Sequence, residues 1–353
     1  MSCRFVSLAM VVAAGSVFAD VPAPVGQITL PGPGNANTFY VSSRYSADGR
    51  LYVWDGANVL YETTPGARPF TSLSPGGVGS GSADTGGINF TSDGSAVVVG
   101  NGAGGLAPVL NPLDVSPGLI FTIPTAGGSS HTPVAKVNYE TDFIPLPTVS
   151  TLAGSGQKML VDAGSADYLS SSVSIVSLDS GVGTTSGTEV IASIPGAGAS
   201  LAMDSTNRLY VCVGYGADQG DIRRFDWSAV QSAFQSNTPL NWADGELFNP
   251  DSTGNNNGAG MFFDSRGFLF AGGSDGVTVF APDGVGQTYD LGLGYVTLTY
   301  NPATDQFFAQ SSGNTVNVYD AAAFVPEPAT LLLPAFASLW LLRRRQHAGR
   351  RLA

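Results

Sequence analysis

The chain has 353 residues, with 15 Lys and Arg against 27 Asp and Glu, two His and two Cys. That acidity excludes nucleic acid or an anionic membrane surface as the partner of the bulk of the chain. Two histidines leave no zinc cluster and no His pair to build on, while 19 Phe and 12 Tyr are too many for a disordered chain despite 46 Gly.

The chain opens MSCRFVSLAMVVAAGSVFAD. Arg4 precedes an apolar run from Phe5 to Ala14, and Val17 and Ala19 are small residues at the spacing that signal peptidase reads. Residues 1–19 are therefore expected to be a secretory signal peptide, cut after Ala19. Cys3 leaves with it, so Cys212 is the mature chain's one thiol and no internal disulfide can form. Cys212 lies in the strand-like run LYVCVGY and reads as a small buried apolar residue.

The body, residues 20–324, repeats one pattern: a short apolar strand, a polar turn with Asp, Asn or Gly, then a second apolar strand. The clearest copies are SADGRLYVWDGANVLYE from Ser46, FTSDGSAVVVGNG from Phe90 and LAMDSTNRLYVCVGYG from Leu201. MFFDSRGFLFAGGSDGVTVF from Met261 and LTYNPATDQFFAQSSGNTVNVYD from Leu298 repeat it, and AGSGQKMLVDAGS from Ala153 is weaker. Each reads as a β-hairpin. The turns at Asp48, Asp93, Ser155, Thr206, Arg266 and Thr304 are 45, 62, 51, 60 and 38 residues apart. Spacings near 40–50 residues with about four strands each belong to β-propeller blades. Several copies show a second hairpin, at Asp55-Gly56, Ser274–Gly276 and Gly313-Asn314, leading to a last strand.

The fold expected is all-β: a propeller of about six blades, with five or seven also fitting. A pair of β-sandwiches is the alternative. The stretch from Gly105 to Asn138 is either a long insertion or a blade merged with its neighbour. The cadence of the repeat resembles NHL-like and gluconolactonase-like propellers.

One helix is expected, in DWSAVQSAFQSN, with Asp226 as cap and Trp227, Val230 and Phe234 on one face. The loop ADGELFNPDSTGNNNGAG offers Asp244, Glu246, Asp251 and Asn255, hard oxygen donors that suit calcium. Ordinary turn chemistry accounts for the same residues. Gly272–Gly276 matches G-x-S-x-G, but a strand follows it and no His follows within the body, so it reads as a turn. Ser155–Lys158 matches S-x-x-K but leads into a strand and reads likewise. No catalytic residue emerges.

The chain ends on VPEPATLLLPAFASLWLLRRR, from Val325, followed by QHAGRRLA. Leu331 to Leu342 is a 12-residue run, short against the ~20 residues that span a bilayer. Arg343, Arg344 and Arg345 suit a segment halted with its end in the cytoplasm. Val325, Pro326, Glu327 and Pro328, then an apolar helix, then arginines, resemble the PEP-CTERM sorting signal of exopolysaccharide-producing bacteria. The resemblance implies that residues 325–353 are a sorting tail, inserted transiently in the inner membrane and read at Pro326-Glu327-Pro328 by an exosortase. Without its two ends the body carries 9 basic and 26 acidic residues, a net of −17.

The function expected is that of an exported surface or matrix protein, not an enzyme, its propeller binding exopolysaccharide or another surface protein. The alternatives are a secreted propeller enzyme, such as a calcium-dependent lactonase or a sugar lyase, and a membrane-anchored protein whose tail is never cut.

Overall fold

A computed structural model describes residues 21–325, except 33–41, 56–57, 67–68, 74–84, 102–117, 128–131, 138–139, 148–149, 151, 153–157, 165–168, 179–186, 197–199, 215, 217, 251–259, 275 and 312–313. The described strands form six separate sheets in a six-bladed β-propeller, antiparallel but for one short parallel pair. Blade 1 holds β2 (Ser42–Tyr45), β3 (Leu51–Trp54), β4 (Val59–Tyr61) and β5 (Thr71–Ser72). Blade 2 holds β6 (Thr85–Phe90), β7 (Ala96–Asn101), β8 (Gly118–Pro124) and β9 (Thr132–Val137). Blade 3 begins with β10 (Glu140–Pro145), β11 (Lys158–Gly164), β12 (Ser171–Ser177) and β13 (Thr188–Ile194). Blade 4 holds β14 (Ser200–Met203), β15 (Arg208–Cys212), β16 (Asp221–Asp226) and β18 (Glu246–Pro250). Blade 5 holds β19 (Met261–Phe263), β20 (Leu269–Gly272), β21 (Gly276–Phe280) and β22 (Gly286–Asp290). Blade 6 joins β23 (Thr297–Asn301), β24 (Gln306–Gln310) and β25 (Thr315–Asp320) to β1 (Gly26–Thr29), from the other end of the chain.

The second strand of each blade explains the apolar runs. A sheet with one wet face alternates apolar and polar residues, whereas one covered on both faces reads as a continuous apolar run. In β3, Leu51 and Val53 pack toward blade 6, and Tyr52 and Trp54 toward blade 2. In β7, Val97 and Val99 face blade 1 and Val98 faces blade 3. In β15, Leu209 and Val211 face blade 3, and Tyr210 and Cys212 face blade 5. In β24, Phe307 and Ala309 face blade 5 and Phe308 faces blade 1. The buried apolar residues thus fall into six clusters, one between each pair of adjacent blades. Cys212 is buried and in no disulfide.

The hairpins that open blades 2, 4, 5 and 6 each turn on a side chain bonded back to the main chain. Asp204 Oδ1 accepts from Thr206 N at 2.9 Å and Arg208 N at 2.9 Å. Asp264 Oδ1 accepts from Arg266 N at 3.0 Å and Phe268 N at 2.9 Å. Thr91 Oγ1 and Asn301 Oδ1 accept from Ala96 N and Ala303 N, both at 3.0 Å. This local bonding makes the turn independent of the rest of the fold. The expected turns at Asp48, Asp93, Thr206, Arg266 and Thr304 all stand here, between first and second strands; Ser155 lies outside the described residues.

Two details differ from the sequence reading, and a third extends it. The strands after Asp55, Gly276 and Asn314 are third strands, not last ones: β5, β22 and β1 lie outside them. The Gly105–Asn138 stretch contains β8 and β9, which complete blade 2 rather than adding a blade. Blade 4 detours between β16 and β18 through α1 (Trp227–Ser236), β17 (Leu240–Asn241) and a 3-10 turn at Trp242–Asp244. β17 pairs parallel with β13 as a fifth strand of blade 3. Asp226 occupies the N-cap position of α1 without a side-chain cap bond; Trp227, Val230 and Ala233 are its buried residues, with Phe234 partly buried.

The closing interface lies between blades 6 and 1, where Phe308 is 1% exposed among Leu30, Leu51, Val53 and Val316. Replacing Phe308→Ala is expected to lower the unfolding free energy by about 3–5 kcal/mol, measured in urea melts of the body.

Candidate functional site

The six innermost strands, β2, β6, β10, β14, β19 and β23, pack side by side in a ring around the axis. Polar and aromatic contacts link neighbours around it. Ser43 Oγ and Thr299 Oγ1 share a 2.9 Å hydrogen bond between blades 1 and 6. Trp54 Nε1 donates to Gly100 O at 2.9 Å, from blade 1 to blade 2. Asn89 Nδ2 donates to Phe143 O at 2.6 Å, from blade 2 to blade 3. Leu201 N donates to Asp142 Oδ2 at 2.9 Å, from blade 4 to blade 3, and Gly260 N donates to Ser200 Oγ at 2.8 Å, from blade 5 to blade 4. Blades 5 and 6 meet through the stacked rings of Phe262 and Tyr300, 4.5 Å apart, and through Val296 N donating to Gly273 O at 2.9 Å.

Five ionisable residues lie on these strands: Arg44, Tyr45, Glu140, Asp142 and Tyr300. Tyr45 packs edge-on against Phe308, and Tyr300 donates to Asp305 Oδ1 at 2.8 Å, so both are occupied between blades. Burial and the neighbouring Asp305 hold the Tyr300 hydroxyl up to about 12. Arg44 and Asp142 are different. They stand on β2 and β10, with β6 between them, and each feels the charge of the other. Both are partly buried. The intervening strand carries Gly87 here; a Cβ on it would sit 3.1 Å from the Phe143 ring and 3.3 Å from Asp142 Cα. The glycine leaves room for Asp142 beside β6.

Burial pushes the Asp142 carboxyl up to about 6, against the opposing pull of Arg44 and of hydrogen bonds from Leu201 N and Phe143 N. Burial likewise lowers Arg44, and Asp142 is the charge that opposes the change. Two opposite charges therefore share a partly desolvated lumen. The arrangement offers a fork of guanidinium donors and a carboxyl group that changes charge within the ordinary pH range.

The loop residues read as calcium donors are placed otherwise. Asp244 Oδ2 accepts from Asn241 N at 2.8 Å and closes the capping box of the 3-10 turn. Glu246 is held by Arg224 through a bidentate pair, 2.7 Å from Nε to Oε2 and 2.6 Å from Nη2 to Oε1. Asp251 and Asn255 lie outside the described residues. Among the described residues no three His, Cys, Asp or Glu side chains gather in a way that could hold a metal ion. Gly272–Gly276 joins two strands, as a turn should, and Lys158 begins β11. Ala19, Pro326, Glu327, Pro328, Arg343, Arg344 and Arg345 lie outside the described residues. Val325 is described: its N donates to Ala322 O, ending the 3-10 turn Ala321–Phe324. Among the described residues no helix is long and apolar enough to cross a membrane.

Sequence reasoning missed Arg44 and Asp142. The available signal was a charge inside the first strand of a blade. SSRY and ETDF carry charges where SLAM, MFF and TLTYN do not.

No protein-family model matches the chain, and no curated protein matches it. Solved structures do. A calcium-binding regucalcin from Agrobacterium tumefaciens is similar with a TM-score of 0.53 at 14% identity, over 80% of this chain and 90% of that one. A gluconolactonase from Xanthomonas campestris gives 0.51 at 16% identity, over 86% and 98%. A luciferin-regenerating enzyme gives 0.54 at 13% identity, over 84% and 95%. At these identities the likeness is one of fold: the body is a propeller of the gluconolactonase-like shape.

The Asp142 carboxyl has a consequence for stability. Its folded pKa lies above its ordinary 3.8, so the folded state holds the proton more tightly. The contribution is complete below about pH 4 and is lost as pH rises to about 6. Carbon NMR of the side-chain carboxyls should show the midpoint near 6. It should move higher in Arg44→Gln, because Arg44 is the charge holding it down. In Asp142→Asn the loss of stability over this window should disappear.

Proposed function

We propose that the protein is an exported β-propeller whose body serves as a binding platform at the cell surface or in the extracellular matrix. Signal peptidase cuts after Ala19, and an exosortase reads Pro326-Glu327-Pro328 while the apolar run and Arg343–Arg345 hold the tail in the inner membrane. The body then binds exopolysaccharide or another surface protein.

One observation carries the sorting part of this reading. The described fold packs up to Val325, the residue before Pro326-Glu327-Pro328, which is partly buried against the cluster between blades 5 and 6. Phe324 is fully buried, its ring stands against Tyr289, Phe307 and Tyr319, and its carbonyl accepts from Tyr289 Oη at 2.7 Å. Val325 then ends the turn, and Pro326 follows. A cut on the C-terminal side of Val325 would leave every described interblade contact in place. The prolines favour an extended chain that a protease can grip.

The second reading, a calcium-dependent lactonase, draws on the activities named for the similar structures. The channel supports it less well. A guanidinium shares the lumen with Asp142, and a fixed positive charge there repels a divalent cation. Glu246 is already taken by Arg224.

Intact-mass spectrometry of the native protein tests the sorting reading. A chain beginning at Asp20 and ending near Val325 is expected. A chain retaining its C-terminal arginines in cells with an active exosortase would overturn it and favour the permanently anchored form. Calcium-dependent hydrolysis of a sugar lactone by the body would favour the enzyme.

A further inference from the structure

The structure describes six arginines: Arg44, Arg50, Arg208, Arg223, Arg224 and Arg266. Five have partners. Arg50 pairs with Asp48, Arg208 with Asp204, Arg224 with Glu246, and Arg266 with Asp264 and Asp305. Arg223 donates to Gly245 O at 2.8 Å and lies over the Trp242 ring. Arg44 alone has no hydrogen bond or ion pair with any described residue; its one electrostatic partner is Asp142. It is partly buried and stands on an innermost strand, β2. A partly buried guanidinium is expected to be bonded, and no described residue supplies the acceptor.

We propose that Arg44 is the anchor of an anion site in the central channel, which takes the carboxylate of a small organic acid, with Asp142 as the internal charge competing for it. The guanidinium fork matches a carboxylate in two parallel hydrogen bonds. A single arginine beside an acid suits a monoanion better than a phosphate dianion. The body's net charge of −17 sets the size of the ligand. A polyanion laid on the surface meets that repulsion along its length. A small acid inside the channel feels mainly the local pair, because surface charge is screened over about 8 Å at physiological ionic strength.

Asp142 makes the site respond to pH. As a carboxylate it neutralises Arg44 and repels the ligand; protonated, it leaves Arg44 free and can itself donate a hydrogen bond. The neighbouring inner strands β6, β14 and β23 carry no charged residue, and Leu201 N of β14 donates to Asp142. Glu140 on β10 and Tyr45 on β2 are the other ionisable residues of the two strands that carry the pair. Arg44 is the charge acting on Asp142. Binding should therefore strengthen as pH falls through about 6.

The test is ligand-observed NMR titration of the body with sodium lactate, and with lactamide as the neutral isostere, well below and well above the Asp142 midpoint. Saturable lactate binding, tighter on the acid side by about tenfold, and none by lactamide is expected. Arg44→Gln should weaken it by about tenfold or more, with Arg44→Lys intermediate. Asp142→Asn should tighten binding on the alkaline side and remove the pH dependence. Lactate should in turn raise the Asp142 midpoint, since linkage is reciprocal. Equal binding of lactate and lactamide, no lactate binding on the acid side, or undiminished binding by folded Arg44→Gln would overturn the proposal. If Arg44→Gln does not fold, Asp142→Asn decides: unchanged affinity on the alkaline side would sink it. Neither result depends on how the tail is processed.

Discussion

Each blade in this fold has two apolar faces and can bury them only against two neighbours. Everything else follows from that. Val98 of β7 needs blade 3, while Val97 and Val99 on the same strand need blade 1. No blade is stable alone, and a row of blades would leave two faces bare. A closed ring satisfies all of them, and six interfaces, each with its own buried cluster, result. Burial of this kind, worth roughly 25 cal/mol per Å² of apolar surface, takes up the interior of the wedge-shaped blades. Chemistry is left to the axis and to the loops, where side chains are not committed to a neighbour.

The same constraint sorts the charges. Most described ones are used at hairpins and blade edges, close to where they sit in sequence. Asp204 with Arg208 and Asp48 with Arg50 hold single turns. Arg266 reaches both Asp264 in its own turn and Asp305 in the next blade, and Tyr300 completes that group. These contacts stabilise loop geometry and leave little reactivity behind. Against this background a guanidinium and a carboxyl at the axis, two strands apart, stand out by position rather than by type. The similar structures fix the shape of the body only; at 13–16% identity the contents of the channel belong to this chain.

What the sequence made legible is what its local interactions determine. Hairpin turns are bonded within five residues, as at Asp204 and Asp264, and the strands that follow are apolar without interruption because both faces are covered. Repeat and blade count could be read from those two signals. α1 could be read too, since Trp227 and Val230 fall on one face, although Asp226 does not use its side chain as a cap. The illegible parts depend on partners distant in the chain. β1 is GQIT, mostly exposed, and nothing in four such residues announces pairing with Thr315–Val318. β5 and β17 are two residues each and exist only through the strand beside them. Glu246 looked like a metal donor because its neighbours in sequence are polar; its neighbour in space is Arg224. Arg44 and Asp142 were passed over for the converse reason, since 98 positions separate them and only ring closure puts them in one lumen.

The pairing of β1 with β25 also imposes an order in time. Gly26 finds Val318 across 292 positions of chain, a closure whose entropic cost grows slowly with length but must be met before the last interface forms. Until residues 315–320 emerge, blade 6 lacks its third strand and therefore the edge on which β1 docks. A chain delivered from its N-terminus remains an open arc until almost nine-tenths of it has arrived. The final strand then acts as a latch, and the fold's completion is reported at the end of the chain where the tail begins.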